Sequence, residues 1–127
     1  LLASSAASDV YKRQVYVNTD KSRMEQVLDN LIVNAKRNVN PGGVLKLSLK
    51  ESEDMLDFSV FNQGPPIPQE NLSKIWTKFY RDKNSKYSGS GLGLAIVAQI
   101  LSMQHLIYGV ENQPGGVAFY FSIPTVK

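Results

Sequence analysis

At 127 residues, with 43% of its side chains hydrophobic, the chain is sized for one compact domain with its own core and is cramped for two. Its formal charge of +3 and pI near 9.2 could suit an anionic ligand, yet charges of both signs are scattered and no basic run interleaves with aromatics, which argues against nucleic acid. The lack of cysteine excludes a disulfide framework, thiolate chemistry and a cysteine-built metal site, and no apolar run approaches the roughly 20 residues that cross a bilayer.

Residues 1–14, LLASSAASDVYKRQ, are small, polar and unlike the rest. DVYKRQ resembles the translated end of a transposon adaptor used in sequencing libraries, so the natural chain is expected to start near Val15. A disordered native terminus is the alternative; a signal peptide is not, because the basic start and apolar middle are missing. From Asp20 a helix is expected, with Met24, Val27, Leu28, Leu31, Ile32 and Ala35 at three- and four-residue spacing. Asp20 or Ser22 can cap it, and Glu25 can complete a capping box with Ser22. NPGG at 40–43 ends it, and a hairpin of Val44–Leu49 and Leu56–Phe61 follows about an acidic turn, Glu51–Asp54.

NQGPPIPQE, 62–70, must be irregular backbone before a short amphipathic helix carrying Leu72, Ile75, Trp76, Phe79 and Tyr80. A polar stretch, Arg81–Ser90, leads to a helix over Leu92–Leu101. Closing strands are expected at Leu106–Val110 and Val117–Ile123, separated by QPGG at 113–116. This order does not alternate as a doubly wound parallel sheet would. It fits an α+β fold, a two-layer α/β sandwich whose mixed, mostly antiparallel sheet carries helices on one face.

Two groups of residues point to chemistry. Gly89, Gly91 and Gly93 precede a helix, where bare N–H groups and the helix dipole favour a phosphate chain; a flexible turn before a closely packed helix is the structural alternative. The stretch is not a Walker A loop, because Gly93-Leu94-Ala95 stands where Gly-Lys-Ser/Thr is needed, nor a dinucleotide fingerprint, because no strand precedes it. On the first helix, Asn30, Asn34, Arg37 and Asn38 form a polar stripe along one edge of the apolar face, as the edge of a cleft would. An asparagine carbonyl is a hard oxygen ligand for Mg²⁺, and Arg37 can add charge against phosphates, although a hydrated helix face would look the same.

Together these segments resemble the catalytic ATP-binding domain of sensor histidine kinases, within the larger family of gyrase, the heat-shock chaperone ATPase and the mismatch-repair ATPase. NLIVNAKRN (30–38) looks like the N box and NQGPPIP the first glycine box. KIWTKFYR (74–81) looks like the F box, GSGLGLAIV (89–97) the second glycine box, and GGVAF (115–119) a weak third. They occur in the family's order and span nearly everything from Val15 onward. VFNQGPPIP and YGVEN look most like the vancomycin-resistance-type sensors of Gram-positive bacteria.

The resemblance implies a Bergerat-type ATP-binding fold with ATP lying between the first helix and a lid at about Arg81–Ser90. It implies that Asn34 ligates Mg²⁺, that Asn30 assists at the phosphates, that Arg37 adds positive charge and that Arg81 reaches the γ-phosphate. The backbone at Gly89, Gly91 and Gly93 would hold the triphosphate, with Asn62, Gly64, Ile67, Tyr80, Leu92 and Leu94 completing the nucleotide site. Trp76 and Phe79 read more simply as core residues that anchor the lid.

The sequence also departs from the family pattern. Asn62 stands where an aspartate usually accepts from the adenine amino group; its carbonyl still accepts, without the charge. Pro66 replaces a glycine and removes an N–H, and Asn38 replaces a common aromatic. Hydrolysing members carry a general-base glutamate where this chain has Asn30, which cannot take a proton, so phosphoryl transfer to a protein histidine is the expected reaction. His105, the single histidine, reads as structural. The implied partners are a histidine-bearing dimerisation domain outside this chain, a downstream response regulator and a second copy of the parent. The implied setting is a cytoplasmic domain of a parent anchored in the bacterial membrane. An anti-sigma-type serine kinase, or an interaction module that has lost ATP, are the competing expectations.

Overall fold

The helical spacing after Asp20 becomes α1 (Lys21–Asn38) in the computed structural model, which describes residues 14–78, 80 and 92–126. Asp20 is the N-cap, its carboxylate accepting from the Arg23 amide at 3.1 Å. Ser22 therefore falls inside the first turn, and the expected Ser22–Glu25 box does not cap the helix. Met24, Val27, Leu31, Ala35 and Asn38 are buried along one side. Asn38 thus lies within the core face and not on its polar edge, because it follows Leu31 and Ala35 by seven and three residues.

Alternation then replaces helical spacing. β2 (Leu45–Ser52) and β3 (Met55–Gln63) pair antiparallel about Glu53 and Asp54 alone, with Glu53 in the left-handed region at φ +56°. β2 starts at Leu45 and not at Val44 but runs past its expected end at Leu49, and β3 extends beyond both of its expected limits. β4 (Ile107–Gln113) and β5 (Gly116–Val126) form a second hairpin whose turn places Gly115 at φ +81°. β5 is the centre of the sheet: β3 lies on one edge, and β4 followed by the unanticipated two-residue β1 (Tyr16–Val17) lies on the other. Each described pairing is antiparallel, as expected for most of the sheet.

Register aligns the side chains of the helix-bearing face in rows, with Leu47 exposed at the sheet's edge. One row runs Leu47, Val60, Phe119, Val110 and the next Leu49, Phe58, Phe121, Tyr108, with Val60 and Phe119 wholly buried. The buried side of α1 covers this face together with Val97, Ile100 and Leu101 of α2 (Gly93–Met103), giving the expected layer of helices on one side. Trp76 is a core residue, meeting Tyr108 and Phe119 edge-on with ring centroids 5.1 and 5.6 Å away. Phe79 lies outside the described residues.

The amphipathic helix expected around Leu72–Tyr80 is instead two single-turn 3-10 helices, Gln69–Asn71 and Lys74–Trp76. Thr77 is extended at ψ 152°, and its hydroxyl donates to the Lys74 carbonyl at 2.6 Å, occupying the acceptor that a continuing α-helix would use. At the end of α2, the His105 amide donates to the Ser102 carbonyl and the Leu106 amide to the Leu101 carbonyl, both at 3.0 Å. This is a Schellman motif with exposed His105 in its left-handed position at φ +57°, so the histidine has a structural place at a helix end.

Candidate functional site

α1 and α2 run antiparallel, which brings the middle of α1 to the start of α2. A Cβ built on Gly93 would lie 3.9 Å from both Cγ and Oδ1 of Asn30. Asn34, one turn on, is half-buried beside it. Asn38 Nδ2 donates back to the Asn34 backbone carbonyl at 2.7 Å and to Asn34 Oδ1 at 3.3 Å. Among the described residues Asn34 Nδ2 and Asn38 Oδ1 have no hydrogen-bond partner, although both atoms are buried. Each such atom costs about 1–3 kcal/mol unless something fills its valence. Arg37 is exposed in the last turn of α1, on the same side as Asn30 two turns earlier.

Among the described residues, no side chain caps the start of α2. Leu92, 37% exposed, precedes the first turn and has no side chain that can cap it, and no acidic residue lies in that turn. The Ile96 amide donates to the Leu92 carbonyl at 2.9 Å, so the amides of Gly93, Leu94 and Ala95 precede the helical ladder. Gly93 is not in the left-handed region, and among the described residues nothing packs closer than 3.9 Å to its would-be Cβ. Close packing of α2, the structural alternative for this glycine, therefore finds no support at Gly93. Leu94 and Tyr80 pack partly buried against the core. Arg81, Gly89 and Gly91 lie outside the described residues.

The third wall is the end of β3 and the loop after it. Asn62 is wholly buried, in register with Val117 of β5. Gly64 is forced to be small: a Cβ there would stand 2.8 Å from the Asn38 carbonyl oxygen, and its amide donates to the Gly115 carbonyl at 3.0 Å. The first glycine box is thereby wedged between the end of α1 and the β4–β5 turn. Ile67 is 2% exposed and belongs to the core. The residue that holds Ile67 in place, Asn112, was not among the expected site residues. Its signal is an asparagine at the inward position that follows Tyr108 and Val110 along β4.

Comparison with known proteins places the chain among relatives. The model of the family described as histidine kinase-, DNA gyrase B-, and HSP90-like ATPase matches residues 19–127, and the chain belongs to that family. It is 34% identical over 114 residues to "Probable sensor kinase SilS" of Salmonella typhimurium, covering 87% of this chain and 23% of that one. To sensor protein VanSB of Enterococcus faecalis it is 37% identical over 111 residues, covering 85% and 25%. The solved catalytic domain of the histidine kinase ThkA superposes with a TM-score of 0.73 at 35% identity, over 85% of this chain and 70% of that one. ThkA has also been solved in complex with the response regulator protein TrrA, matching at a TM-score of 0.73 and 33% identity over 87% and 30% of the two chains.

The chain spans about a quarter of the length of these curated relatives. VanSB is among them, as the likeness to vancomycin-resistance-type sensors implied, but SilS matches over a similar stretch and identity. Among the described residues no helix is long and apolar enough to cross a membrane.

Proposed function

We propose that this chain is the Mg-ATP-binding catalytic domain of a two-component sensor histidine kinase, part of a longer protein whose dimerisation domain carries the acceptor histidine. The observation that carries the reading is the start of α2 at Gly93, which faces Asn30 and, among the described residues, has no side-chain cap and no packing or φ demand for a glycine. In this reading the amides of Gly93, Leu94 and Ala95 donate to the phosphate chain, with Gly89 and Gly91 joining them by motif. Asn62 and Gly64 form the adenine end, and Arg37 and Arg81 add positive charge.

The residues present fit a magnesium ion. Asn34 offers a carbonyl oxygen whose single side-chain bond is long at 3.3 Å, beside a buried atom that lacks a partner, and Mg²⁺ takes few protein ligands alongside phosphate oxygens and water. Asn34 would hold it, and the ion would supply charge neutralisation on the phosphates. Asn30 neither gives nor takes a proton at neutral pH, so the chain places no general base against a water molecule there. The reaction is then transfer: an imidazole nitrogen attacks the γ-phosphorus, the bond to the β–γ bridging oxygen breaks and ADP leaves. The phosphoryl group passes on to a response regulator, the kind of partner with which ThkA was solved.

Calorimetric titration of the chain with ATP, with and without Mg²⁺, tests this beside Asn34→Ala. Saturable binding that requires Mg²⁺ and is largely lost in Asn34→Ala is expected, with circular dichroism unchanged because the residue lies at a half-buried cleft edge. Equal binding by parent and mutant removes Asn34 from the metal site. No binding by a folded parent leaves an interaction module that has lost ATP.

A further inference from the structure

After Gly64 the chain reads Pro65, Pro66, Ile67, Pro68, and since proline has no N–H, Ile67 holds the one backbone donor of that run. Such a segment is poorly equipped to dock by strand pairing. Asn112 supplies what a neighbouring strand would: its Oδ1 accepts from the Ile67 amide at 2.8 Å, and its Nδ2 donates to the Ile67 carbonyl at 2.8 Å. One planar side-chain amide replaces a peptide unit. The other anchor of the loop, the Gly64 amide on the Gly115 carbonyl, also comes from the β4–β5 hairpin. Asn112 is in register with Val117, and Val117 with Asn62, so the two asparagines occupy one row of the inner face about 10 Å apart.

We propose that Asn112 is a positioning residue for the adenine end of the site: by holding Ile67 it fixes the Gly64–Pro68 loop against the sheet and sets the wall beside Asn62. The inference rests on the nucleotide reading above and deepens it. Asn112 bonds to the loop at the proposed adenine end, so its loss is felt equally by nucleotides that differ at the γ-phosphate. It is exposed at the end of β4, so shortening it opens no core cavity. Asn112→Asp is the graded control, because a carboxylate keeps the acceptor for the Ile67 amide but loses the donor and faces the carbonyl with a charge.

The test is titration of parent, Asn112→Ala and Asn112→Asp with Mg-ATP and Mg-ADP, alongside hydrogen exchange at the Ile67 amide. Loss of two neutral hydrogen bonds corresponds to a weakening of about tenfold in Asn112→Ala, and Asn112→Asp, which keeps one of them, falls between it and the parent; each factor is the same for ATP and ADP, with Ile67 exchange accelerated. Unchanged ATP affinity in Asn112→Ala, or a loss confined to ATP with ADP unaffected, overturns the positioning role while leaving the nucleotide reading in place. A folded parent that binds neither nucleotide overturns the nucleotide reading and this role with it.

Discussion

Replacing Gly93 by alanine separates a glycine kept for packing from one kept for a ligand. The new methyl group would meet only the Asn30 side chain among the described residues, at 3.9 Å, an ordinary van der Waals distance. The backbone there needs no positive φ, and α2 begins at that residue. Alanine at a helical position is favoured over glycine by up to about 1 kcal/mol, so the ligand-free thermal midpoint should hold or rise by a few degrees. In the proposed site the same methyl group stands where a phosphate oxygen would approach the amide. A hydrogen bond to a charged group is worth about 1.5–3 kcal/mol, so losing one weakens Mg-ATP about 10- to 150-fold. Scanning calorimetry of the ligand-free chain and isothermal titration with Mg-ATP give the two numbers. A destabilised variant would show that the glycine serves packing, and unimpaired ATP binding would show that phosphate does not use this backbone.

Two further substitutions probe the frame around the site. His105→Gly relieves the left-handed strain at φ +57° and should stabilise the chain by about 0.5–1 kcal/mol in urea denaturation; a lower midpoint would mean that the imidazole makes contacts that matter more than its backbone. Gly116→Ala should be severe, because its Cβ would collide with the Asn62 carbonyl oxygen and come 2.6 Å from the Phe61 ring. Backbone cannot yield as a side chain can, so a loss above about 3 kcal/mol or failure to accumulate as folded protein is expected, and a parent-like denaturation midpoint would refute it.

The long elements were legible because their periods are unambiguous. Met24 to Ala35 repeats as a helix does, and Leu45, Leu47 and Leu49 alternate as a strand does. The segment from Leu72 to Tyr80 misled because 3-10 turns repeat every three residues and so imitate a helical face over a short span. β1 was missed because two residues carry no period at all. In the site, Asn30 and Asn34 were readable as one helical edge, whereas Asn38 is only 1% exposed at a core position that its polarity disguised. Asn112 could not be assigned from the sequence. Its partner is the main chain of a residue 45 positions earlier, and a side chain that bonds to backbone leaves no complementary residue type to look for.

The central strand of the sheet is also the last described one to be made. β3 has its register with β5 from Met55↔Pro124 to Gln63↔Gly116, so the β2–β3 hairpin emerges during synthesis with one long edge bare and its apolar row uncovered. The N-terminal pair, Tyr16 and Val17, waits for Val126 and Thr125 as well. Pairings this distant along the chain fold slowly and leave strand edges exposed meanwhile. A ribosome-stalled chain ending before Gly116 would thus lack both the middle of this sheet and the hairpin that anchors the Gly64 loop.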